Sequence, residues 1–401
     1  MTARSIQRWT PAAIACAALL APSALAKGSG DVVIRLCPGT SIEDICARYE
    51  VTVVSEISSR GIFRVRAGED TPYELMAWLM GGDSGIVAAE TDDVAEVVSG
   101  HTQSFFFRLN AEYTQQPALA LLAANPAGPD GAGVTVAVLD TGISPNSSIS
   151  AAILPGFNFV DNSEVTAEFG PGIDSNGNGI IDEMSGHGTF IAGLVSLVAP
   201  HCNLLPVKVL DSDGQGTVYT VAAGIYYATD QGARVINLSL SFDRESTVVS
   251  DALQYARDHG VIVVASVGND NTNAPVFPAA GPGVIAVAAT TLLDHKASFS
   301  DYGSFVDLCA PGENVISTLP NDMLGVGSGA SFATAWVSGT AALIQGSMID
   351  PTPDRVSARL TRSAMKVPAT LTEFPGLMGK GRLSIGNAFA SFSKASAKVA
   401  K

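Results

Sequence analysis

The sequence contains VAVLDTGIS at residues 136–144, SGHGTFIAG at residues 185–193 and GSGASFATAWVSG at residues 327–339. Each segment contains one residue of an Asp-His-Ser combination that recurs in unrelated folds. In this chain the order is Asp140, His187, Ser331. A serine hydroxyl is a weak nucleophile until an adjacent imidazole takes its proton, and that imidazole needs a carboxylate to hold its tautomer. Together the segments predict nucleophilic chemistry at Ser331, with His187 as base and Asp140 as its orienting acid.

From residue 131 onward, strand patterns alternate with helix patterns. Near-continuous apolar runs, typical of strands buried on both faces of a parallel sheet, occur at 133–140, 203–210, 233–240, 260–269 and 283–290. Helical spacing of apolar residues occurs at 217–231, 246–259 and 333–346. The pattern predicts an α/β fold, a three-layer domain with a mainly parallel sheet over residues 131–392. Asp140 and Asn269 end two of the strands, at the edge where such sheets bind ligands.

Residues 31–97 have a different pattern, in the order strand, helix, strand, strand, helix, strand. This order predicts a small α+β, ferredoxin-like domain, which we assign to residues 27–98. Residues 99–130 lack clear periodicity and are interpreted as a linker, and residues 393–401 as a short tail.

The first 26 residues have the composition of an export signal. Arg4 and Arg8 precede an apolar stretch at residues 12–20, and small residues end the segment at Ala24-Leu25-Ala26. The alternative is a membrane anchor, but the apolar run is too short for one and prolines flank it. We therefore expect a protein that is secreted, either extracellular or periplasmic.

Charge and cysteine content limit the partners and cofactors. Acidic residues outnumber basic ones by 38 to 23, so the net charge is −15, whereas phosphate binding needs clustered Lys and Arg. We expect no nucleic-acid partner, no membrane association of the mature form, and a monomer. Cysteines lack metal-ligand spacing. Cys37 and Cys46 either form a disulfide or remain two buried thiols.

The chain order of the three segments resembles that of the subtilisin-like serine proteases, the subtilase family, since chymotrypsin-like proteases and α/β-hydrolases use other orders. The resemblance covers about residues 131–390 and includes VKVLDSDGQGT at 207–217 and LCAPGENVIST at 308–318. It implies a serine endopeptidase that hydrolyses peptide bonds and needs no cofactor for catalysis.

The resemblance also implies an oxyanion hole and a substrate cleft. Asn269 in SVGND corresponds to the side-chain donor, beside the backbone N–H of Ser331. The expected substrate-binding residues are Gly214, Gly216, Ser239, Leu240, Ser241 and Val276. Because Val276 is β-branched and near the expected pocket floor, we expect a preference for small or medium apolar residues before the scissile bond. The segment around Ser331 differs from the commonest form in the family at Ala330, Phe332 and Ala335-Trp336. None of these differences removes a triad residue.

Because it lies between an export signal and a protease-like domain, the small domain resembles the propeptide of that family. The resemblance implies that it assists folding and acts as an intramolecular inhibitor until it is cleaved near residues 98–130. Residues 99–130 would then include the start of the mature chain. Polypeptide substrates are the other implied partner.

The segment DSNGNGIIDE at residues 174–183 matches the first half of an EF-hand calcium loop. The candidate metal ligands are Asp174, Asn176, Asn178, Ile180, Asp182 and Glu183. Ser185 stands where an EF-hand has a bidentate glutamate, so a complete EF-hand is not predicted. Two interpretations remain open, a structural calcium site and a polar surface loop.

Other functions fit parts of the pattern. A non-enzymatic protein that keeps the fold for binding would be favoured by loss of a triad residue, and none is lost. A calcium-dependent interaction module would need repeats of the calcium loop, and the sequence has one. An aspartic protease, suggested by Asp140-Thr141-Gly142, would need a second such carboxylate in a matching context.

Overall fold

The computed structural model describes residues 28–68, 73–97, 104–106, 110–124, 128–149, 152–366 and 374–390. It divides into two compact units, Met1–Val94 and Ala95–Lys401. The predicted export signal and the predicted tail lie outside the described residues, and the domain limits inferred from the sequence remain predictions. Among the residues described, no helix is both long and apolar enough to span a bilayer.

The smaller unit has the predicted order of elements. They are β1 Gly28–Leu36, α1 Ile42–Tyr49, β2 Thr52–Ile57, β3 Ile62–Arg66, α2 Tyr73–Gly81 and β4 Ile86–Val97, whose last three residues belong to the larger unit. The strands pair antiparallel in the order β4-β1-β3-β2. Cys37 and Cys46 are half-buried free thiols here, so the disulfide alternative is wrong and neither thiol is fully buried.

A seven-stranded sheet, with parallel pairings in the order β14-β13-β12-β10-β6-β8-β7, forms the centre of the larger unit. Its strands are β6 Thr135–Asp140, β7 Phe157–Asn158, β8 Asn203–Lys208, β10 Val235–Leu238, β12 Ile262–Ser266, β13 Val284–Thr290 and β14 Leu308–Pro311. The helices described in this unit are α3 Asn110–Thr114, α4 Pro117–Leu121, α5 His187–Val198, α6 Val218–Asp230, α7 Thr247–Asp258, α8 Ala330–Ser347 and α9 Pro353–Ser363.

Alternate residues of the sheet face two helical layers. Val136 and Val138 of β6 belong to the apolar core that contains α5 and α8. Leu139, the next residue of the strand, faces α6 instead. Gly224 of α6 is so near that a Cβ added to it would lie 3.2 Å from Leu139 Cδ2. Because successive strand residues point to opposite faces, helices cover both sides of the sheet. The predicted three-layer α/β architecture is confirmed.

Several elements of the larger unit were not predicted. Strands β5 Ser104–Phe106, β15 Val315–Leu319 and β16 Met323–Gly327 form an antiparallel sheet in the order β15-β16-β5. Two short segments, β9 Gln215–Thr217 and β11 Leu240–Ser241, are also extended. The segment interpreted as a linker includes α3 and α4, and Gln116 between them donates to Ile316 O at 2.7 Å and accepts from its N–H at 3.0 Å.

Trp336 provides a test of the core of the larger unit. Its side chain is fully buried on α8. In an inactive Ser331→Ala background, we expect Trp336→Ala to lower the free energy of unfolding by about 3–5 kcal/mol, because a large cavity is left among side chains that relax only in part.

The measurement is urea unfolding followed by circular dichroism. Trp78→Ala is the matched control, since Trp78 is 65% exposed and surface substitutions change stability by only about 0.5 kcal/mol. Equal midpoints for the two variants would contradict the structure of the core.

Candidate active site

The predicted acid, base and nucleophile lie at the ends of three elements. Asp140 is the last residue of β6, His187 the first of α5 and Ser331 the second of α8. His187 Nδ1 lies 2.8 Å from Asp140 Oδ1, and both side chains are buried. The ring of Phe332, which follows Ser331, lies 5.8 Å from the His187 ring, centroid to centroid. The start of α8 is therefore adjacent to the acid–base pair.

Glycine allows the close approach of α5 to the end of β6. A Cβ at Gly188 would lie 2.0 Å from the carbonyl oxygen of Gly142, far inside van der Waals contact. Gly186, which caps the helix, has φ of 99°, a conformation that disfavours other residues. These two glycines explain the Gly-His-Gly sequence around the base.

The surroundings of His187 favour its protonated form. Burial lowers the pKa of the imidazole, but the charge and hydrogen bond of Asp140, together with the charge of Glu168, raise it above its ordinary value. Asp140 Oδ1 also accepts the backbone N–H of Thr141 at 2.7 Å. The pair can therefore take up a proton and stabilise the charge that results.

The start of α8 is anchored to the end of β10. Ser331 Oγ lies 3.5 Å from the carbonyl oxygen of Ser239, and Ser239 Oγ lies 3.3 Å from Ser331 O. Ser338 donates to Asn237 Oδ1 at 2.9 Å, and Asn237 Nδ2 donates to Ser239 Oγ at 2.9 Å. Because all four residues are buried, these hydrogen bonds are shielded from water and orient the helix.

Asn269 lies three residues after β12 and contacts the serine segment. Its Oδ1 accepts the backbone N–H of Ala330 at 2.8 Å. Its Nδ2 lies 3.6 Å from the Cβ position of Gly329. With Oδ1 held in this way, the amide N–H₂ end is beside the turn that precedes Ser331, where an oxyanion donor is required.

The two predicted walls of the cleft flank Glu96 and Val97, which belong to the larger unit. On one side, β11 pairs antiparallel with this segment, Leu240 opposite Val97 and Ser241 opposite Glu96. On the other side, the Val97 N–H donates to Gly214 O at 2.7 Å. Gln215 Nε2 donates to Glu96 Oε1 at 3.1 Å. An extended peptide therefore fits between the two walls as an added strand.

Two further predicted cleft residues lie close by. Gly216, in β9, forms an isolated bridge with Leu210. Val276 is half-buried and precedes Phe277, which exchanges hydrogen bonds with Phe242 directly after β11. Val276 therefore lies near the Ser241 end of the cleft.

The predicted metal ligands are brought together only in part. Asn176 and Asn178 donate from Nδ2 to Glu183 Oε1 at 2.7 and 2.6 Å, and their Oδ1 atoms accept N–H groups of the loop. Asp174 accepts three N–H groups of the same loop. Asp182 turns away and accepts the Gly172 N–H at 2.9 Å. No group of three or more His, Cys, Asp or Glu side chains suited to a metal occurs among the residues described.

The chemistry of this donor set fits calcium in part. Carboxylate and amide oxygens are the ligands that Ca²⁺ uses, and the Ile180 carbonyl would add a backbone oxygen. Asp174, Asn176, Asn178 and Glu183 share one loop, whereas the Asp182 carboxylate is engaged elsewhere. The loop therefore offers four of the predicted side chains, and the two amides would have to present their oxygens.

Sequence reasoning missed two buried carboxylates beside the site, Glu168 and Asp301. Glu168 accepts hydrogen bonds from the first turn of α5. Asp301 accepts the N–H groups of Asp270 and Thr272, which flank the loop of Asn269, at 3.0 and 2.8 Å. Asp301 could have been noticed in the sequence, because it is the one charged residue in ASFSDYG at 297–303, among apolar and small residues.

Asp301 is packed against the turn that leads to Asn269. A Cβ at Gly268 would lie 1.9 Å from Asp301 Oδ2, so only glycine fits beside this carboxylate. Burial raises the pKa of Asp301 to about 6, the N–H of Thr272 opposes the rise and the charge of Asp270 adds to it. The loop that carries Asn269 is therefore held by an acid whose pKa is raised to about 6.

Comparison with known proteins agrees with this geometry. The sequence model of the subtilase family matches residues 131–381. Thermitase from Thermoactinomyces vulgaris is 38% identical over 256 residues, which is 64% of this chain and 88% of thermitase. Subtilisin BL from Lederbergia lenta is 38% identical over 232 residues, 56% of this chain and 80% of that protein.

A similar fold occurs in fervidolysin from Fervidobacterium pennivorans, a keratinolytic enzyme related to subtilisin. Its crystal structure matches with a TM-score of 0.73 at 22% identity and covers 90% of this chain and 61% of that chain. At this identity the likeness concerns the fold alone.

The pKa of Asp301 predicts how stability changes with pH. The folded-state pKa of about 6 exceeds the value of about 3.9 for an unfolded chain, so the folded protein binds more protons between these values. Stability contributed by protonated Asp301 is therefore full below about pH 4 and is lost as the pH rises through 6. We compare two proteins in the Ser331→Ala background, one with Asp301 and one with Asp301→Asn. As the pH rises from 4 to 7 and Asp301 loses its proton, we expect the protein with Asp301 to become progressively less stable than the Asp301→Asn protein.

The measurement is the difference in unfolding free energy between these two proteins across that range. Asp243→Asn, at an exposed position, serves as the control for general loss of a negative charge. A difference that is flat with pH, or that grows toward acid, would contradict the assignment.

Proposed function

This chain belongs to the subtilase family and is a subtilisin-like serine endopeptidase that acts on polypeptides, and we propose that Asp140, His187 and Ser331 are its catalytic triad. The observation that carries this proposal is the 2.8 Å contact between His187 Nδ1 and Asp140 Oδ1 at the carboxyl edge of the sheet. It lies beside the start of the helix that bears Ser331.

In the first step, Ser331 Oγ attacks the scissile carbonyl carbon and its proton passes to His187 Nε2. Asp140 keeps the other ring nitrogen, Nδ1, protonated and stabilises the imidazolium. His187 then gives its proton to the leaving amine, and an acyl-enzyme remains on Ser331. Water, deprotonated by His187, hydrolyses that ester and restores the serine.

The carbonyl oxygen becomes negative in each tetrahedral intermediate. Asn269 Nδ2 and the backbone N–H of Ser331 are the donors to this oxyanion. Fixed donors stabilise the developing charge without reorganising during the reaction. The Ser331 N–H also lies in the first turn of α8, where backbone donors lack helical partners and the helix dipole is positive.

We further propose that the enzyme is secreted and made as a self-processed zymogen. The position of Glu96 and Val97 between the cleft walls supports self-processing, since this segment of the larger unit occupies the place of an extended substrate. In the β11 ladder the next position after Leu240 is Ser239, whose carbonyl is beside Ser331 Oγ. The proposed cleavage lies C-terminal to this segment, near residues 98–130.

The substrate preference is a related proposal. The β-branched Val276 would narrow the pocket for the residue before the scissile bond and favour small or medium apolar side chains. Ser241, which stands where glycine is common in the family, adds a side chain to the opposite wall.

A structural calcium ion is proposed for the loop at residues 174–183, held by Asp174, Asn176, Asn178 and Glu183 with the Ile180 carbonyl. It would stabilise the loop and take no part in the reaction. Catalysis itself is proposed to need no cofactor, and the monomeric state remains a prediction.

Self-processing and activity are tested together with wild-type, Ser331→Ala and Asn269→Ala proteins. We expect the wild type to hydrolyse casein and to be cut near residues 98–130, as read by intact-mass spectrometry. Ser331→Ala should stay intact and inert. Asn269→Ala should lose about 10²–10³ in kcat, a magnitude carried over from the loss of this donor in subtilisin.

Thr272→Ala, a nearby loop change outside the triad, is the control and should process normally. A wild type that is intact, inert and unreactive toward a fluorophosphonate probe would contradict this assignment. It would instead favour a protein that keeps the fold for binding.

Calcium binding is tested through stability. A ligand that binds only the folded state raises the melting temperature, so we expect Ca²⁺ to raise the Tm of Ser331→Ala protein and EGTA to reverse the rise. Asp174→Asn should abolish the shift, whereas Asp161→Asn, outside the loop, should keep it. The same Tm with and without calcium in the parent protein would leave the polar-loop interpretation as the correct one.

A further inference from the structure

Glu168 lies between β7 and α5 and is buried, with 7% of its surface exposed. Its Oε1 accepts the backbone N–H groups of Gly186 and Gly188 at 3.0 and 3.1 Å. Its Oε2 accepts the backbone N–H of Thr189 at 3.2 Å. The hydroxyls of Thr141 and Thr189 donate to Oε1 and Oε2 respectively. Five donors converge on one carboxylate, a set that suits its ionised form.

These donors come from the two segments that hold the acid and the base. The N–H groups belong to the start of α5, which begins at His187 and where backbone donors have no partner within the helix. The Thr141 hydroxyl lies 3.1 Å from Asp140 Oδ1 and accepts the Gly188 N–H at 3.1 Å. Glu168 therefore joins the turn after β6 to the first turn of α5.

The charge of Glu168 is balanced within the same cluster. Lys208 is buried at the end of β8, and its Nζ donates to the carbonyl oxygens of Thr141 and Leu210, both at 2.8 Å. Burial is the main cause of a net rise in the pKa of the Glu168 carboxyl, and the charge of Asp140 adds to it, whereas the hydroxyls of Thr141 and Thr189 and the charge of Lys208 oppose the rise. A neutral side chain at this position would leave buried N–H groups poorly satisfied.

On the basis of the proposed triad, we infer that Glu168 is a positioning residue for the hydrolysis. It holds the start of α5 against the turn after β6, so that the His187 ring keeps its contact with Asp140. Its negative charge also stabilises the imidazolium that forms when Ser331 loses its proton. It contacts no reacting atom, so its effect passes through His187.

The test compares Glu168→Gln with Glu164→Gln, an exposed acid four residues away. We expect Glu168→Gln to lower kcat per titrated active site about 10- to 100-fold, with KM within about twofold of wild type. The acid limb of kcat/KM should move to lower pH, because the imidazolium loses one stabilising charge. Glu164→Gln should leave kcat, KM and the acid limb unchanged.

A merely structural role would reduce the number of active sites and would leave kcat per site and the acid limb unmoved, and that result would overturn the inference. Glu168→Asp keeps the charge but shortens the reach, so it should retain the wild-type acid limb with a reduced kcat. If Glu168→Gln does not fold, the aspartate variant decides: a wild-type kcat per site contradicts positioning, and a reduced kcat supports it.

The outcome is separable from that of the triad itself. If the wild type is inactive, or if Ser331→Ala matches it, the proposed function fails and the inference about Glu168 fails with it. If the wild type is active and Ser331→Ala is not, the triad stands and the Glu168 variants judge the positioning role alone.

Discussion

The contact between the Asp140 carboxylate and the His187 imidazole puts ionisable groups inside the protein, where an unpaired charge is costly. Hydrogen bonds from the Thr141 N–H and the His187 ring stabilise the buried Asp140 carboxylate. Because His187 is the first residue of α5, the helix must start within reach of the end of β6. That approach is sterically open only to glycine at Gly188. The Asp140–His187 pair thus determines the glycine at position 188, the place where α5 begins and the chemistry of the site.

The parallel sheet explains why the other groups are within reach. Carboxyl ends of parallel strands share one edge. Asp140 is the last residue of β6, and Ser239 and Asn269 lie in the turns that follow β10 and β12. Helix α8 crosses beneath these turns and is fixed by Ser338 to Asn237 and by Ala330 to Asn269. Apolar packing holds the helix, and the buried hydrogen bonds determine where its first turn points.

Much of this architecture was predictable because its signals are local. Apolar runs and helical spacing predicted five of the seven strands of the central sheet and three of the helices. The strands of the second sheet are short, and their pattern is mixed with glycine and polar residues, so they were missed. Helix α9 was missed although Thr352 caps it, accepting the Arg355 N–H at 3.4 Å, and Pro353 begins it. Those two residues were a start signal that could have found it.

The sequence by itself determined the residue types, their order and the elements that bear them, because periodicity and spacing along the chain depend on near neighbours. It thereby identified Asp140, His187 and Ser331 as candidates, and the resemblance to the subtilase family added Asn269. Only the tertiary structure decided that Glu168 and Asp301 support those groups, that Asp182 turns away from its loop, and that Glu96 meets Gln215, 119 residues further along. Such contacts depend on how distant segments pack, and no local pattern encodes that.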